Sequence, residues 1–236
     1  MRRPTLLLLH AFPLDARMWE AQEPAFEAEG YPVLAPNLPG RQPETTFGAW
    51  AERVLGVVDG PFVPVGISMG GYLAFELWRQ AGDRIPALVL ADTRAGADTP
   101  EARAARDEQI LLLGEAGFDP FWEGLAPKLF GPTADPELVA SARAIAAEQP
   151  ITGLVAALEA LRDRPDSGET LVKIDSPALV LVGEEDSLTP PSESEAMVAA
   201  LPRARLVTLA GAGHLTPLER PEEFNKAVLD FLVGVT

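Results

Sequence analysis

Six short apolar segments, separated by helix-forming stretches, constrain this chain more than any other feature of its sequence. The segments are apolar throughout, which is typical of strands that helices cover on both faces. Strands that alternate with helical patterns predict βαβ units on a parallel sheet. The sequence therefore predicts an α/β protein with a mainly parallel sheet of about six strands. The predicted strands are Thr5–Leu9, Val33–Pro36, Val63–Ile67, Ala87–Ala91, Ala178–Val182 and Arg205–Leu209.

Helices are predicted between and after these strands, and one interval departs from the alternation. Residues 94–173 contain no strand pattern and carry four helix-forming stretches punctuated by Gly and Pro. We expect a core of residues 1–93 and 174–236, with residues 94–173 as a helical cap or lid over the edge where such sheets bind ligands. The alternative is a second helical layer with no role in binding. The helices predicted in the core span residues 17–29, 47–57, 69–81, 192–200 and 221–233, and those in the insertion 101–114, 119–129, 136–148 and 152–162.

The charge and composition exclude several classes of protein. With 35 acidic and 19 basic residues, the formal net charge is −16, which argues against nucleic acid as a partner and disfavours anionic lipid. The chain has no Cys and two His, so no common metal-ligand set can be written. The apolar run at residues 5–9 is too short for a secretory signal, and no window approaches the length of a membrane helix. A cytoplasmic protein without a membrane partner is expected.

A G-x-S-x-G pattern marks one strand end as a candidate site. Ser68 lies between Gly66 and Gly70, where a predicted strand ends and a predicted helix begins. A serine on such a turn is held in a strained conformation with its hydroxyl above the sheet. Glycines are expected on either side because a Cβ at those positions would collide with the neighbouring strand and helix.

A serine hydroxyl needs a base, and that base needs an acid to orient it. Of the two histidines, both of which follow predicted strands, His214 lies among small residues after the last one. Asp186 follows the strand Ala178–Val182 and is the favoured acid, with Asp92 as the competing candidate.

These motifs resemble those of the α/β-hydrolase superfamily, which uses the chain order Ser68, Asp186, His214. The resemblance covers most of the chain outside the insertion, and it looks closest to small carboxylesterases and 3-oxoadipate enol-lactonase-like proteins. It implies an oxyanion hole formed by the backbone N–H groups of Phe12 and Met69, with His10 as a structural residue that holds the oxyanion loop. The segments that carry it are His10-Ala11-Phe12-Pro13, Gly66–Gly70, Gly183–Asp186 with Pro190, and Gly211–His214 through Glu219, Pro221 and Phe224.

Aromatic residues in the insertion, with one arginine near a strand end, are candidates for the substrate pocket. Phe121, Leu125 and Leu129 recur every four residues, which is typical of one helix face packed onto the sheet. Part of the aromatic cluster, notably Trp122 and Phe121, is a candidate wall of an apolar pocket. Arg94 could also contact a substrate or belong to the scaffold.

The resulting hypothesis is a serine hydrolase that cleaves a small carboxylic ester or lactone through an acyl-enzyme, with a catalytic triad and no cofactor. A neutral substrate is favoured because a strongly negative field slows the approach of anions unless a local cation, such as Arg94, compensates. The alternatives on the same scaffold are a cofactor-free perhydrolase, a thioesterase, or a binding protein without catalysis.

Overall fold

The computed structural model describes residues 3–38 and 46–235, so residues 1, 2, 39–45 and 236 of the predicted core lie outside the described part. The described residues form a six-stranded sheet in which every neighbouring pair is parallel, in the order β2-β1-β3-β4-β5-β6. The predicted α/β fold with a six-stranded parallel sheet is confirmed. The strands are β1 Thr5–Leu9, β2 Val33–Leu34, β3 Phe62–Ile67, β4 Leu88–Ala91, β5 Ala178–Gly183 and β6 Ala204–Leu209.

Helices flank this sheet, and their bounds follow the sequence pattern closely in most places. The helix predicted over residues 17–29 is instead divided into a 3₁₀ turn, Ala16–Trp19, and a short α-helix. The break agrees with Pro24, which fits the first turn of a helix but not its interior. The α-helices are α1 Glu23–Ala28, α2 Phe47–Leu55, α3 Met69–Ala81, α4 Pro100–Ala116, α5 Phe118–Leu129, α6 Pro136–Ala147, α7 Ile151–Asp163, α8 Gly168–Leu171, α9 Pro191–Ala200, α10 Thr216–Glu219 and α11 Pro221–Val233.

The hydrophobic core is centred on the sheet. The residues of β1, β3, β4 and β5 are almost all buried, as expected for strands covered on both faces. Helix α3 packs against β1, β3 and β4. Helices α4 to α8 all lie in the chain between β4 and β5, which is where the insertion is predicted.

The register of the strands brings their carboxyl ends to one edge of the sheet. Ile67 at the end of β3 pairs with Ala91 at the end of β4. Ala91 in turn pairs with Leu181, which lies two residues before the end of β5. Residues that follow these strands therefore converge at this edge.

In the described residues, no single helix is long and apolar enough to cross a bilayer. Helices α6 and α7 reach that length and composition only as a pair, and they are bent by 99° at their junction.

Candidate active site

The turn that carries Ser68 is strained and tightly packed. Ser68 has φ 51° and ψ −112°, a conformation that L-amino acids rarely adopt. A Cβ on Gly66 would collide with the backbone of Gly70, and one on Gly70 would collide with the carbonyl of Leu9. The expected need for glycine at both positions is therefore confirmed. The hydroxyl of Thr93 donates a hydrogen bond of 2.9 Å to the Ser68 carbonyl and helps to fix the turn.

Ser68, His214 and Asp186 form a continuous hydrogen-bonded chain. Nε2 of His214 lies 2.8 Å from Ser68 Oγ, and Nδ1 lies 2.8 Å from Asp186 Oδ2. Because an ionised Asp186 can only accept, Nδ1 carries the proton and donates to it. Nε2 is then the unprotonated nitrogen that accepts the Ser68 hydroxyl, which is the arrangement a general base requires.

Asp186 is held as a buried carboxylate by donors on three sides. Its Oδ1 accepts hydrogen bonds from the backbone N–H groups of Leu188 and Thr189, at 2.8 and 3.0 Å. Its Oδ2 accepts a bond of 2.7 Å from the Thr189 hydroxyl as well as the one from His214. Burial alone would raise the pKa of Asp186, but the charge and hydrogen bond of His214, with the bonds from Thr189, lower it below its ordinary value.

Asp92, the competing acid, lies at the end of β4 and does not bond to His214. Its Oδ1 accepts a hydrogen bond of 2.8 Å from the Gly183 N–H, and its Oδ2 accepts one from the Thr216 hydroxyl. Its side chain is fully buried. Burial, reinforced by the negative charge of Asp186, raises the pKa of Asp92 well above its ordinary value. The structure thus places Asp186, and not Asp92, against the histidine.

His10 is fully buried and holds a loop. Its Nε2 accepts a hydrogen bond of 2.7 Å from the Leu38 N–H, so its Nδ1 carries the proton, 3.1 Å from the Ala11 carbonyl oxygen. Burial lowers the pKa of His10 to about 4. A neutral imidazole with both nitrogens bonded to backbone fits the structural role expected for it.

The backbone N–H groups of Phe12 and Met69 are the ones that the sequence resemblance assigns to an oxyanion hole. Among the described residues, neither group donates a hydrogen bond to the protein. Met69 is the first residue of α3, where N–H groups have no partner inside the helix and carry the positive end of its dipole. Phe12 lines the same cavity as Ser68 and His214. Both N–H groups are therefore without a hydrogen-bond acceptor in the described part of the protein.

A cavity of about 80 Å³ opens at Ser68 and His214, between the sheet edge and the insertion. Phe12 and Tyr72 of the core line it, together with Arg94, Arg106, Leu125 and Leu129 of the insertion. The insertion therefore forms one wall of the space above Ser68.

Of the predicted pocket residues, Arg94 lines this cavity, whereas Phe121 and Trp122 are not among the described residues of its wall. Phe121 packs edge-on against the ring of Phe12, with centroids 5.9 Å apart, and Trp122 stacks on Phe118. Leu125 and Leu129, one and two turns further along the same face of α5 as Phe121, line the cavity instead.

Several site residues lie beyond what the motifs indicate. Thr189 supports Asp186, as described above. The carboxylate of Glu219 accepts hydrogen bonds from the N–H groups of Gly213, Leu215 and Gly131, and so ties the His214 loop to the insertion. Glu219 is part of the sequence resemblance, but its role is visible only in the structure. In the described part of the chain, no group of three or more His, Cys, Asp or Glu side chains is placed to hold a metal ion.

Comparison with known proteins gives consistent matches over nearly the whole chain. A family model described as "Alpha/beta hydrolase family" matches residues 6–227. A pimeloyl-[acyl-carrier protein] methyl ester esterase from Aromatoleum aromaticum is 29% identical over 99% of this chain and 100% of its own length.

Solved structures also match this chain over nearly its whole length. A thermophilic esterase from Thermogutta terrifontis, with malate bound, has a TM-score of 0.91 and 35% identity, covering 98% of this chain and 90% of the other. An enol-lactonase from Burkholderia xenovorans has a TM-score of 0.84 and 26% identity, covering 99% and 92%.

Proposed function

Because this chain belongs to the alpha/beta hydrolase family and has esterase-type relatives, we propose that it is a serine hydrolase of carboxylic esters or lactones. The observation that carries the proposal is the unbroken chain from Ser68 through His214 to Asp186, with both hydrogen bonds to the imidazole at 2.8 Å. It ends at a half-buried serine that opens into a cavity. Ser68, His214 and Asp186 would act as nucleophile, base and orienting acid.

In the first half of the reaction, Ser68 Oγ attacks the carbonyl carbon while Nε2 of His214 takes the hydroxyl proton. The carbonyl oxygen becomes negative and accepts hydrogen bonds from the Met69 and Phe12 N–H groups. The carbon–oxygen bond to the alcohol then breaks. The leaving alkoxide takes the proton from His214, and an acyl group remains on Ser68.

In the second half, a water molecule replaces the alcohol. His214 takes a proton from this water as it attacks the acyl carbon, and the same N–H groups stabilise the second oxyanion. The bond to Ser68 Oγ breaks, Oγ recovers its proton from His214, and the acid leaves. The protein's own groups supply every proton transfer, so the proposed reaction needs no cofactor.

The insertion completes the site in this proposal. Residues 94–173 act as a lid because their helices α4, α5 and α7 supply cavity-lining side chains, including Arg106, Leu125 and Leu161. Backbone contacts fasten it to the base, since the His214 N–H donates a hydrogen bond of 3.1 Å to the Leu129 carbonyl. A small-molecule ester or lactone fits the confined space.

The proposal is tested with Ser68→Ala and a short-chain p-nitrophenyl ester. We expect kcat to fall by at least about 10³-fold while the thermal unfolding midpoint changes little, because the substitution removes the nucleophile and little else. Ser141→Ala is the matched control, since Ser141 is exposed on α6. Wild-type rates in Ser68→Ala would overturn the assignment.

A further inference from the structure

The charged side chains of the cavity have the opposite sign to the chain as a whole. Apart from His214, the described charged residues that line it are Arg94, Arg106 and Lys128, and none of the described lining residues is Asp or Glu. In the whole chain, acidic residues outnumber basic ones by 35 to 19. A local excess of cations beside the nucleophile therefore runs against the composition.

Asp98 fixes the two arginines in place but does not neutralise them. Its fully buried carboxylate lies 2.7 Å from Arg94 Nη2 and 3.3 Å from Arg106 Nε, and also 2.7 Å from Arg164 Nη1. Burial alone would raise the pKa of Asp98, but the charges of Arg164 and Arg106 lower it below its ordinary value. One carboxylate thus serves three guanidinium groups.

The other charged residues near the cavity do not cancel its excess of positive charge. The charge of Glu193, on α9, also acts on Arg94, but no ion pair joins the two in the described residues. Lys128, exposed on α5, likewise has no ion pair in the described part of the chain. Besides Asp186, which is paired with His214, two acids therefore face four cations around the cavity.

Two polar atoms at the same wall lack partners. Arg94 Nε and Gln109 Oε1 are buried and have no hydrogen-bond partner in the described residues. Buried donors and acceptors are costly to leave unpaired. A guanidinium group in a partly desolvated wall attracts an anion more strongly than one at the surface, and its planar N–H groups match a carboxylate.

We propose that the cavity is built for an ester that carries a free carboxylate, with Arg94 and Arg106 holding that carboxylate and Lys128 adding charge at the mouth. The reaction at the ester rests on the proposed function, whereas the carboxylate site rests on the charges of the wall. The net charge of the chain favours a neutral ester, whereas the proposed substrate is an anion. The local cations decide, because they act at short range while the charge of the surface is screened by salt.

Matched substrate pairs provide the test. Monoethyl adipate carries the carboxylate on the acyl side, and 4-acetoxybutanoate carries it on the alcohol side. Each is compared with the analogue in which the carboxylate is replaced by a primary amide. For at least one pair, we expect kcat/KM of the anionic ester to exceed that of the amide by about tenfold or more, and the ratio to fall in 1 M NaCl.

Variants of the cavity wall test whether its cations cause the preference for the anionic ester over the amide. Arg106→Gln and Lys128→Gln should each lower it several-fold, while Arg106→Lys, which keeps the charge, should restore most of it. Arg143→Gln is the control, since Arg143 is an exposed arginine of α6 that pairs with Asp119 outside the cavity, and it should leave the ratio unchanged. If Arg106→Gln does not fold, Lys128→Gln and the wild-type ratio decide the question.

A binding experiment separates this proposal from the proposed function. Titration of adipate into Ser68→Ala by calorimetry needs no turnover, and we expect binding that weakens about tenfold in Ser68→Ala/Arg106→Gln. Hydrolysis of the amide esters at rates equal to or above the anionic ones, in both pairs, would overturn the carboxylate site and leave the hydrolase standing. Adipate binding without hydrolysis of any ester by the wild type would do the reverse. Absence of adipate binding would also count against the carboxylate site.

Discussion

The adjacent strands β4 and β5 are each followed by a buried aspartate, and the surroundings of the two side chains shift their pKa values in opposite directions. Asp92 is fully buried, accepts two hydrogen bonds, and has a raised pKa. Asp186 accepts three hydrogen bonds besides the one from His214 and has a lowered pKa. Burial alone would raise both pKa values, so the interactions with His214 and Thr189 are what lower the pKa of Asp186.

The contrast also bears on function. An ionised Asp186 can hold the proton of His214 on Nδ1, whereas a protonated Asp92 would add no second negative charge beside it. We infer that Asp92 is a structural acid that joins β4 to β5 and to Thr216. Three changes test this comparison.

The largest effect is expected from Asp186→Asn. The amide can donate to Nδ1 of His214 and so favours the tautomer in which Nε2 carries the proton and cannot act as a base. We expect kcat to fall by about 10⁴-fold, with little change in the far-ultraviolet circular dichroism spectrum. A loss below about tenfold in steady-state ester hydrolysis would show that another acid orients His214.

A smaller effect, on stability and not on chemistry, is expected from Asp92→Ala. The substitution leaves the Gly183 N–H and the Thr216 hydroxyl buried without their acceptor, which should cost about 1–3 kcal/mol in the free energy of unfolding. Asp92→Asn keeps an acceptor for Gly183 and a polar partner for Thr216, so it should recover most of that loss. Urea denaturation measures both variants, and a 10⁴-fold loss of kcat in Asp92→Asn would contradict the structural role.

The smallest effect is a pH dependence that separates Asp92→Asn from the wild type. Well below pH 4, Asp92 is protonated in both the folded and the unfolded wild-type chain, because the ordinary pKa of Asp is about 3.9. As the pH rises, the unfolded chain loses this proton first, because the folded pKa is raised, and the wild type loses stability.

Asp92→Asn lacks this loss, so its stability relative to the wild type should increase between pH 4 and pH 7. The direction of this change follows from the raised pKa of Asp92. Urea denaturation at both pH values measures it. Asp186 has a lowered pKa and therefore changes stability with pH in the opposite direction. In both proteins it stabilises the fold above about pH 4, and this contribution is lost as the pH falls. If the free energies of unfolding of the two proteins differed by the same amount at both pH values, the raised pKa of Asp92 would be contradicted.

The sequence predicts the sheet and its motif-bearing turns well, because the signals there are local. The apolar run of β1 and the Gly pattern before α3 define Thr5–Leu9 and Met69–Ala81 to the residue. Asp92 and Asp186 are harder to tell apart from local signals, because both follow apolar strands. The structure distinguishes them by the hydrogen bond from His214 to Asp186 and by the donors of Leu188 and Thr189.

The wall of the cavity could not be predicted in the same way. Helix α4, which carries Arg106, has only Leu113 fully buried, so its apolar pattern does not define the face that turns inward. Long-range packing sets that face instead, through contacts of α4 with α5 and α7. From the sequence alone, charged residues on such a helix are predicted to be exposed to solvent. Only the tertiary structure shows that Arg106 lines the same cavity as Ser68.

Covalent labelling tests the central claim most directly. The wild type is treated with a fluorophosphonate near neutral pH, digested, and its peptides are analysed by mass spectrometry, with His214→Gln treated in parallel. The account predicts a single adduct on the peptide that contains Ser68, and little or none in His214→Gln, because Ser68 Oγ needs the imidazole 2.8 Å away to lose its proton. An unlabelled Ser68 in folded wild-type protein, or equal labelling in His214→Gln, would contradict it.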